Sequence, residues 1–345
     1  MTALARDRSR AELEALACAH GAKPFQARAL VEAVFEKGLL DLDSATFLPK
    51  AVRSALAGEV VLSASEVVDT SQSSDGTTKF LHELRDRETI ESVLIPEGER
   101  TTLCVSSQVG CPVACVFCAS GLFGVRRNLT AAEIVDQFLV ARARLEREGG
   151  QRRITNVVVM GLGEPMLNVD NLERALLQIS QDLGFSPRRI TISTSGYPDR
   201  VRSLAERALP WNLAISLHAA DPQLRRELVP TATKDPVELV RAARVWFRMT
   251  GREPTFEVVL LRGKNDRSHD ADALIALLKG EACTVNLLPW NRVAGVEPWI
   301  ASPDEAQVLD FQARLEAGGI KTTWRRRRGA DRDAACGQLR LRHRD

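Results

Sequence analysis

From about residue 100 to about residue 317 the chain alternates short apolar runs with longer helical stretches, and this rhythm restricts the fold more than any other feature. The runs read TTLCVSS, ITNVVVMG, RITISTSG, LAISLHA, TFEVVLL and TVNLLPW. Helical periodicity lies between them, over about 131–147, 169–183, 236–249, 269–279 and 303–317. Thr130 and Glu133 are spaced as a capping box for the first of these helices. Strand–helix alternation of this kind predicts a parallel sheet with right-handed crossovers. Six units are too few to close an eight-fold barrel, so the expected fold is α/β, a partial, open TIM-type βα barrel. Functional residues should then gather at the C-terminal ends of its strands.

Before residue 100 the pattern differs. AELEALACAH, FQARALVEAVFEKGL and AVRSALAG read as helices within 9–58, with Pro49 marking a turn between two of them. From Val60 to about Pro96, short β-prone runs broken by Ser-Ser-Asp-Gly and Asp-Arg-Glu suggest a small sheet or hairpins. The expected organisation is an accessory unit over 1–96 that docks RNA, a core over 97–330 and a C-terminal tail over 331–345. A net charge of +2 does not by itself announce a nucleic-acid binder. The first twenty residues are charged throughout and lack an apolar h-region, so no secretory signal is expected. No apolar run approaches the roughly 18 residues of a membrane span. Seven cysteines in a cytoplasmic chain point to metal or catalytic thiols rather than structural disulfides.

Cys111-Pro-Val-Ala-Cys115-Val-Phe-Cys118 is the sharpest of the motifs. Three thiolates just after a strand can hold three irons of a cubane and leave the fourth open to chelate a ligand. A structural zinc site usually shows two CxxC pairs, and only one short triplet stands here. The bland alternative is three buried cysteines or a zinc knuckle. The CxxxCxxC spacing, with an aromatic before the last Cys, resembles the signature of radical S-adenosylmethionine (SAM) enzymes. That resemblance implies a 4Fe-4S cluster whose free iron binds the amino and carboxylate groups of SAM.

Other motifs fall at the ends of the predicted strands. Gly161-Leu-Gly163-Glu164-Pro165 ends the second, and Glu164 could accept hydrogen bonds from the SAM ammonium group. A tight structural turn explains the glycines equally well. Ser195 ends the third strand, Ser216-Leu217-His218 the fourth, and Asn291 follows the last. A lone histidine such as His218 is more often a hydrogen-bonded structural residue than a catalyst. Cys18 and Cys283, in apolar surroundings, read as packing residues. For Cys336, in a segment with little apolar content, the bland reading is a leftover surface thiol.

Together, Thr102-Leu-Cys104-Val-Ser-Ser-Gln-Val-Gly-Cys111, Arg127-Asn-Leu-Thr130, Gly163-Glu-Pro165, Ile215-Ser-Leu-His218 and Ala334-Ala-Cys336-Gly-Gln-Leu339 resemble the RlmN/Cfr family. Its members are radical SAM methyltransferases acting on adenosine in 23S ribosomal RNA. The likeness runs from Phe25-Gln-Ala-Arg28 and Leu48-Pro-Lys50 through Ser74-Asp-Gly-Thr77 to the tail. It implies two SAM per turnover. Cys336 resembles the cysteine methylated by the first, whose methyl group then loses hydrogen to the radical made from the second. The resulting methylene attacks the adenine ring, and Cys104 resembles the thiol that resolves the adduct by a disulfide with Cys336. Glu91 falls where the family places a proton-accepting carboxylate; without the family it reads as a solvated strand residue. Adenine C2 and C8 offer no lone pair to an electrophilic methyl, and a carbon radical avoids that need. The likeness favours C2 over C8, with transfer RNA as a further candidate substrate. It also implies a reductase or flavodoxin-type electron donor, and a monomer.

The sequence departs from the family pattern at Leu162, usually Met, at Val229 in Leu228-Val-Pro230, where Met is common, and at Val258, usually Tyr. Arg325 to Arg328 form a run of cations, and Arg126, Arg127, Arg152, Arg153, Arg188 and Arg189 recur in pairs. Such groups fit phosphate attraction, although a single pair is more often a solvated surface. Two rivals remain: a radical SAM enzyme that modifies a polypeptide, and a non-catalytic iron–sulfur factor for RNA binding or ribosome assembly.

Overall fold

The computed structural model describes residues 2–231, 235–292, 296 and 300–325. An N-terminal unit comprises β1 (Ala3–Leu4), α1 (Arg10–Ala19), α2 (Pro24–Glu32), α3 (Lys50–Ala57) and β2 (Val60–Val61). β1 pairs with β2 in parallel and ties the two ends of this unit together. Leu13, Leu30, Val34, Leu48, Val52 and Leu56 form its own apolar core. Ser9 caps α1 with Glu12 in a capping box, and Pro49 stands just before α3. Cys18 is exposed, correcting its reading as a packing residue: Leu13 and Ala17 carry the buried stripe of α1, and Cys18 is turned away from it.

β3 (Ser65–Gln72), β4 (Thr78–Leu84) and β5 (Thr89–Glu97) follow as antiparallel hairpins. They do not form a sheet of their own. β5 pairs with β6 (Arg100–Cys104), so the hairpins extend the core sheet directly.

The rest of the chain runs β7 (Gln108–Gly110), β8 (Val125–Asn128), α4 (Ala131–Arg147), β9 (Asn156–Val159), α5 (Val169–Leu177), β10 (Ile190–Thr194) and α6 (Pro198–Glu206). It continues with β11 (Asn212–Ser216), α7 (Pro222–Leu228), α8 (Pro236–Thr250), β12 (Thr255–Leu260), α9 (Ser268–Leu278), β13 (Thr284–Pro289), α10 (Glu305–Ala317) and β14 (Thr322–Trp324). Ten strands form one sheet in the order β14-β13-β12-β11-β10-β9-β6-β5-β4-β3, and β3 and β14 are its two edges. Pairing is parallel from β6 to β14, as the alternation predicts, and the barrel is open.

One face of this sheet buries Leu103, Val157, Ile192, Ile215, Phe256, Val258 and Val285 against Ile134 and Phe138 of α4 and Leu239 and Trp246 of α8. Side chains alternate across a strand, so the residues between these line the opposite, luminal face. Val258 and Leu162 both belong to this main core. These two departures from the family pattern are therefore packing changes, set away from the lumen. Among the described residues no helix is long and apolar enough to cross a membrane.

Candidate active site

The cysteine loop hangs from a two-stranded ribbon that sequence periodicity does not show. β7 and β8 pair antiparallel, and the Cys111 N–H donates to the Gly124 carbonyl at 3.0 Å to close the loop between them. Within it, Cys118 N–H donates to the Cys115 carbonyl at 3.1 Å, and Ala114 adopts a positive φ of 54°. Val113, Phe117 and Ala119 pack against Leu228, Val229, Leu261 and Trp290, with Cys111, Cys115 and Cys118 at the margin of that cluster. The Trp290 indole donates to the Phe117 carbonyl at 2.8 Å. All three thiols are free. Burial pushes Cys111 up to about 12 and Cys115 well above the ordinary thiol range; the neighbouring Cys118 raises both further, and Cys111 adds to the rise at Cys115.

The loop after β9 closes on this ribbon. Gly163 has φ of 106°, and a Cβ there would lie 2.7 Å from Cβ of Gln108 and 2.8 Å from its nitrogen. A Cβ on Gly161 would meet the Ser106 hydroxyl at 2.7 Å. In this structure the glycines thus admit the neighbouring backbone. Ser107 N–H reaches the Leu162 carbonyl at 2.8 Å, and Glu164 N–H reaches Oε1 of Gln108 at 2.8 Å.

Glu164 is 2 % exposed. Its Oε1 accepts from Met166 N–H at 3.0 Å; its Oε2 accepts from the Ser195 N–H at 2.7 Å and hydroxyl at 2.8 Å. Burial raises its pKa, against the opposing pull of these donors. The Thr194 hydroxyl is a fourth donor that favours the charged form, so the carboxylate is held from several sides at the strand ends.

Arg225, on α7, is a group that sequence reasoning missed. Its guanidinium is 1 % exposed and donates through Nη2 to the carbonyls of Ser195 and Ser216, binding the ends of β10 and β11 together. Nε and Nη1 are buried without a hydrogen-bond partner among the described residues, and Cys115 lies near enough for its thiolate form to favour the charged guanidinium. Burial lowers its pKa to about 10. A single arginine in an arginine-rich chain gives no signal in sequence.

His218 follows β11 in an uncommon conformation, with φ of 63°. Leu217 and His218 N–H groups both donate to the Glu257 carbonyl, at 2.9 and 3.2 Å, hooking the end of β11 onto β12. Nδ1 of His218 accepts from Val259 N–H at 3.2 Å, and the ring stands edge-on to Phe117 with centroids 4.9 Å apart. Burial lowers its pKa to about 3, so it is neutral at physiological pH. Asn291 presents a buried Oδ1 with no partner among the described residues.

Glu91 and Cys104 lie across the seam from these groups. Val93 of β5 is opposite Cys104 of β6, so Glu91, two residues before Val93, shares a sheet face with Cys104. Glu91 is 3 % exposed, which corrects its reading as a solvated strand residue: the hairpins continue the core sheet and cover it. Cys336 and Arg326–Arg328 lie outside the described residues. Arg127 is held by ion pairs with Asp86 at 2.6 Å and Glu133 at 2.8 Å, whereas Arg126, 3.4 Å from Glu88, is exposed.

The radical SAM superfamily model matches residues 105–274, from just after β6 into α9. "Probable dual-specificity RNA methyltransferase RlmN" of Thermosynechococcus vestitus is 43% identical over 334 residues, covering 96% of this chain and 97% of the relative. "Dual-specificity RNA methyltransferase RlmN" of Syntrophobacter fumaroxidans is 44% identical over 332 residues, covering 95% of each. A crystal structure of a radical SAM methyltransferase from Sphaerobacter thermophilus superposes with a TM-score of 0.91 at 40% identity, covering 97% of this chain and 98% of the other. The match in sequence and in fold extends over nearly the whole chain, hairpins and N-terminal unit included: the chain belongs to the RlmN family of radical SAM RNA methyltransferases.

Proposed function

We propose that this chain methylates a ring carbon of adenosine in 23S ribosomal RNA, C2 in preference to C8, with transfer RNA as a second substrate. The observation that carries the reading is the convergence of three strand ends on one cysteine loop, through Glu164, Ser195 and Arg225. The donor set fits the cofactors the family implies. Among the described residues no three Cys, His, Asp or Glu side chains converge as single-ion ligands, whereas a cubane takes one thiolate per iron and spreads its ligands apart. Buried thiols with raised pKa favour the protonated form, and a bound iron displaces that proton. The orphaned Oδ1 of Asn291 and Nη1 of Arg225 are polar atoms of the kind a bound SAM would satisfy.

In this reading Cys111, Cys115 and Cys118 hold a 4Fe-4S cluster that supplies the electron for SAM cleavage. Glu164 receives the SAM ammonium group, with Ser195, Ser216, Leu217, His218 and Asn291 around the rest of the molecule and the Gly163 backbone beside it. Arg225, a buried cation beside Cys115, balances the negative charge of the thiolates. Cys336 carries the methyl group, Glu91 accepts the proton from the ring carbon, and Cys104 closes a disulfide with Cys336 to release the product. Two SAM are used per turnover. The N-terminal unit docks RNA, the hairpins join residues 97–330 in the core, and the tail from 331 brings in Cys336. A cytosolic reductase or flavodoxin-type protein supplies electrons, and the enzyme acts as a monomer.

The test supplies the enzyme with SAM, reductant and unmethylated 23S RNA deuterated at adenine C2, then digests the product to nucleosides. Loss of label from C2 is expected; loss from C8 instead would move the protein to the Cfr-like branch. RNA binding without SAM cleavage would identify a non-catalytic factor.

A further inference from the structure

The luminal face carries an acidic residue that the reading above leaves unused. Ser216 of β11 is opposite Glu257 of β12, Glu257 opposite Asn286 of β13, and Asn286 opposite Thr323 of β14. Their neighbours Ile215, Phe256, Val258, Val285 and Leu287 belong to the helix-covered core, so the four polar residues form one row across the lumen. Thr323 donates its hydroxyl to Oδ1 of Asn286 at 3.1 Å, and Asn286 Nδ2 donates to Oε2 of Glu257 at 2.9 Å. The amide is thereby oriented, and it holds one carboxyl oxygen. The other, Oε1, has no hydrogen bond among the described residues, although Glu257 is only 7 % exposed. The charge of Arg325 acts on this carboxyl group as well, but Oε1 is not sealed off and stays open to accept from a donor in the lumen.

The row starts at Ser216, which the proposed function places against SAM. If the amino acid end of SAM is taken up at the cysteine loop and Glu164, its adenosyl part must lie across the lumen. There it offers the 2′- and 3′-hydroxyls as neighbouring donors, and facing residues on adjacent strands stand about 5 Å apart, within reach of a vicinal diol. We propose that Oε1 of Glu257 accepts hydrogen bonds from the ribose hydroxyls of bound SAM, with Asn286 and Thr323 as the buttress that aims it. This inference rests on Ser216 lining the SAM site. Burial raises the Glu257 pKa to about 7, so a donor to Oε1 also stabilises its ionised form.

The experiment measures equilibrium dialysis of SAM, and of S-adenosylhomocysteine with or without both ribose hydroxyls, against the full-length reconstituted protein without reductant. Wild type should bind the dideoxy analogue about tenfold or more weakly, the scale of one hydrogen bond to a charged group. Glu257→Gln should weaken SAM by a similar factor, keep its iron content, and bind the two homocysteine analogues alike. Thr323→Val, which touches no ligand, should weaken SAM by a smaller factor by releasing Asn286, and gives a second reading should Glu257→Gln fail to fold. Retained ribose discrimination in Glu257→Gln, or unchanged SAM affinity in Thr323→Val, overturns the proposal. Weaker SAM binding in Ser216→Ala but not in Glu257→Gln overturns it while leaving the SAM site standing. No effect in Ser216→Ala overturns both.

Discussion

In the parallel part of the sheet the expected cofactor residues stand just past strand ends, on loops held by backbone contacts: Glu164 after β9, Ser195 after β10, His218 after β11. In the antiparallel hairpins Glu91 stands inside β5, and strand pairing puts it on the same sheet face as Cys104. The first arrangement is set by where strands stop, the second by register. Loops can be rebuilt without disturbing the core beneath them. A one-residue slip between β5 and β6 would turn Glu91 to the opposite face.

The largest effect belongs to the parallel part. Replacing Cys111, Cys115 or Cys118 with Ala should abolish both the cluster, about four irons per chain in the wild type, and SAM cleavage. The fold should persist, since none of the three is in the main core. Iron analysis of anaerobically reconstituted protein decides the first point, and unchanged iron in all three variants would sink the assignment.

Variants of Glu91, of Cys104 at the seam and of Cys336 should separate two activities that the cluster-cysteine variants lose together. Glu91→Gln should still cleave SAM but methylate RNA at least about a hundredfold more slowly, the scale of a lost general base. Cys104→Ala should accumulate protein joined covalently to RNA, and Cys336→Ala should give no adduct. Free methylated RNA from Cys104→Ala at full turnover would refute its role.

How far this contrast was legible in sequence follows from the same physics. The six strands from β6 to β13 in the parallel run are short β-prone segments centred on apolar residues, and each was readable. β14 has three residues beside a run of arginines, and α7 has seven residues, too few for periodicity to register. The β7–β8 ribbon was hidden because its partners are separated by the cysteine loop, and pairing at a distance leaves no local pattern. For the same reason the hairpins could be recognised as strands but not as part of the core sheet. Glu91 was reached only through family likeness. Its burial depends on a pairing that one sequence does not display.

A moderate effect should appear at the joint between the cysteine ribbon and the β9 loop. Gly163→Ala places a Cβ 2.7 Å from Gln108 at φ of 106°, where L-residues are strained. A loss of about 1–3 kcal/mol is expected from the backbone alone. Because Gln108 holds the Glu164 N–H, SAM affinity should fall as well. Denaturant unfolding and SAM dialysis measure the two parts. An unchanged midpoint would show that the loop can shift freely.

The smallest effect sharpens the comparison, because each part of the sheet buries one neutral histidine. His82 in β4 lies between Ser92, at 2.7 Å from Nε2, and Ser65, at 3.1 Å from Nδ1, and Ser65 in turn donates to Asp136 at 2.6 Å. Burial lowers the pKa to about 4 for His82 and about 3 for His218, from 6.5 in the unfolded chain. Between these values the unfolded state binds more protons, so stability falls as pH drops below 6.5. At pH 5 each histidine should cost about 2 kcal/mol relative to neutral pH. His82→Gln and His218→Gln should each remove about that much of the pH dependence, read as the difference between unfolding free energies at pH 7 and pH 5. They should part company in function: at pH 7 His82→Gln, remote from the strand ends, should bind SAM as wild type does, while His218→Gln should bind it more weakly. An undiminished pH dependence in either variant would mean that its ring is not the proton-binding group. Equal SAM affinity in both would remove His218 from the cofactor site.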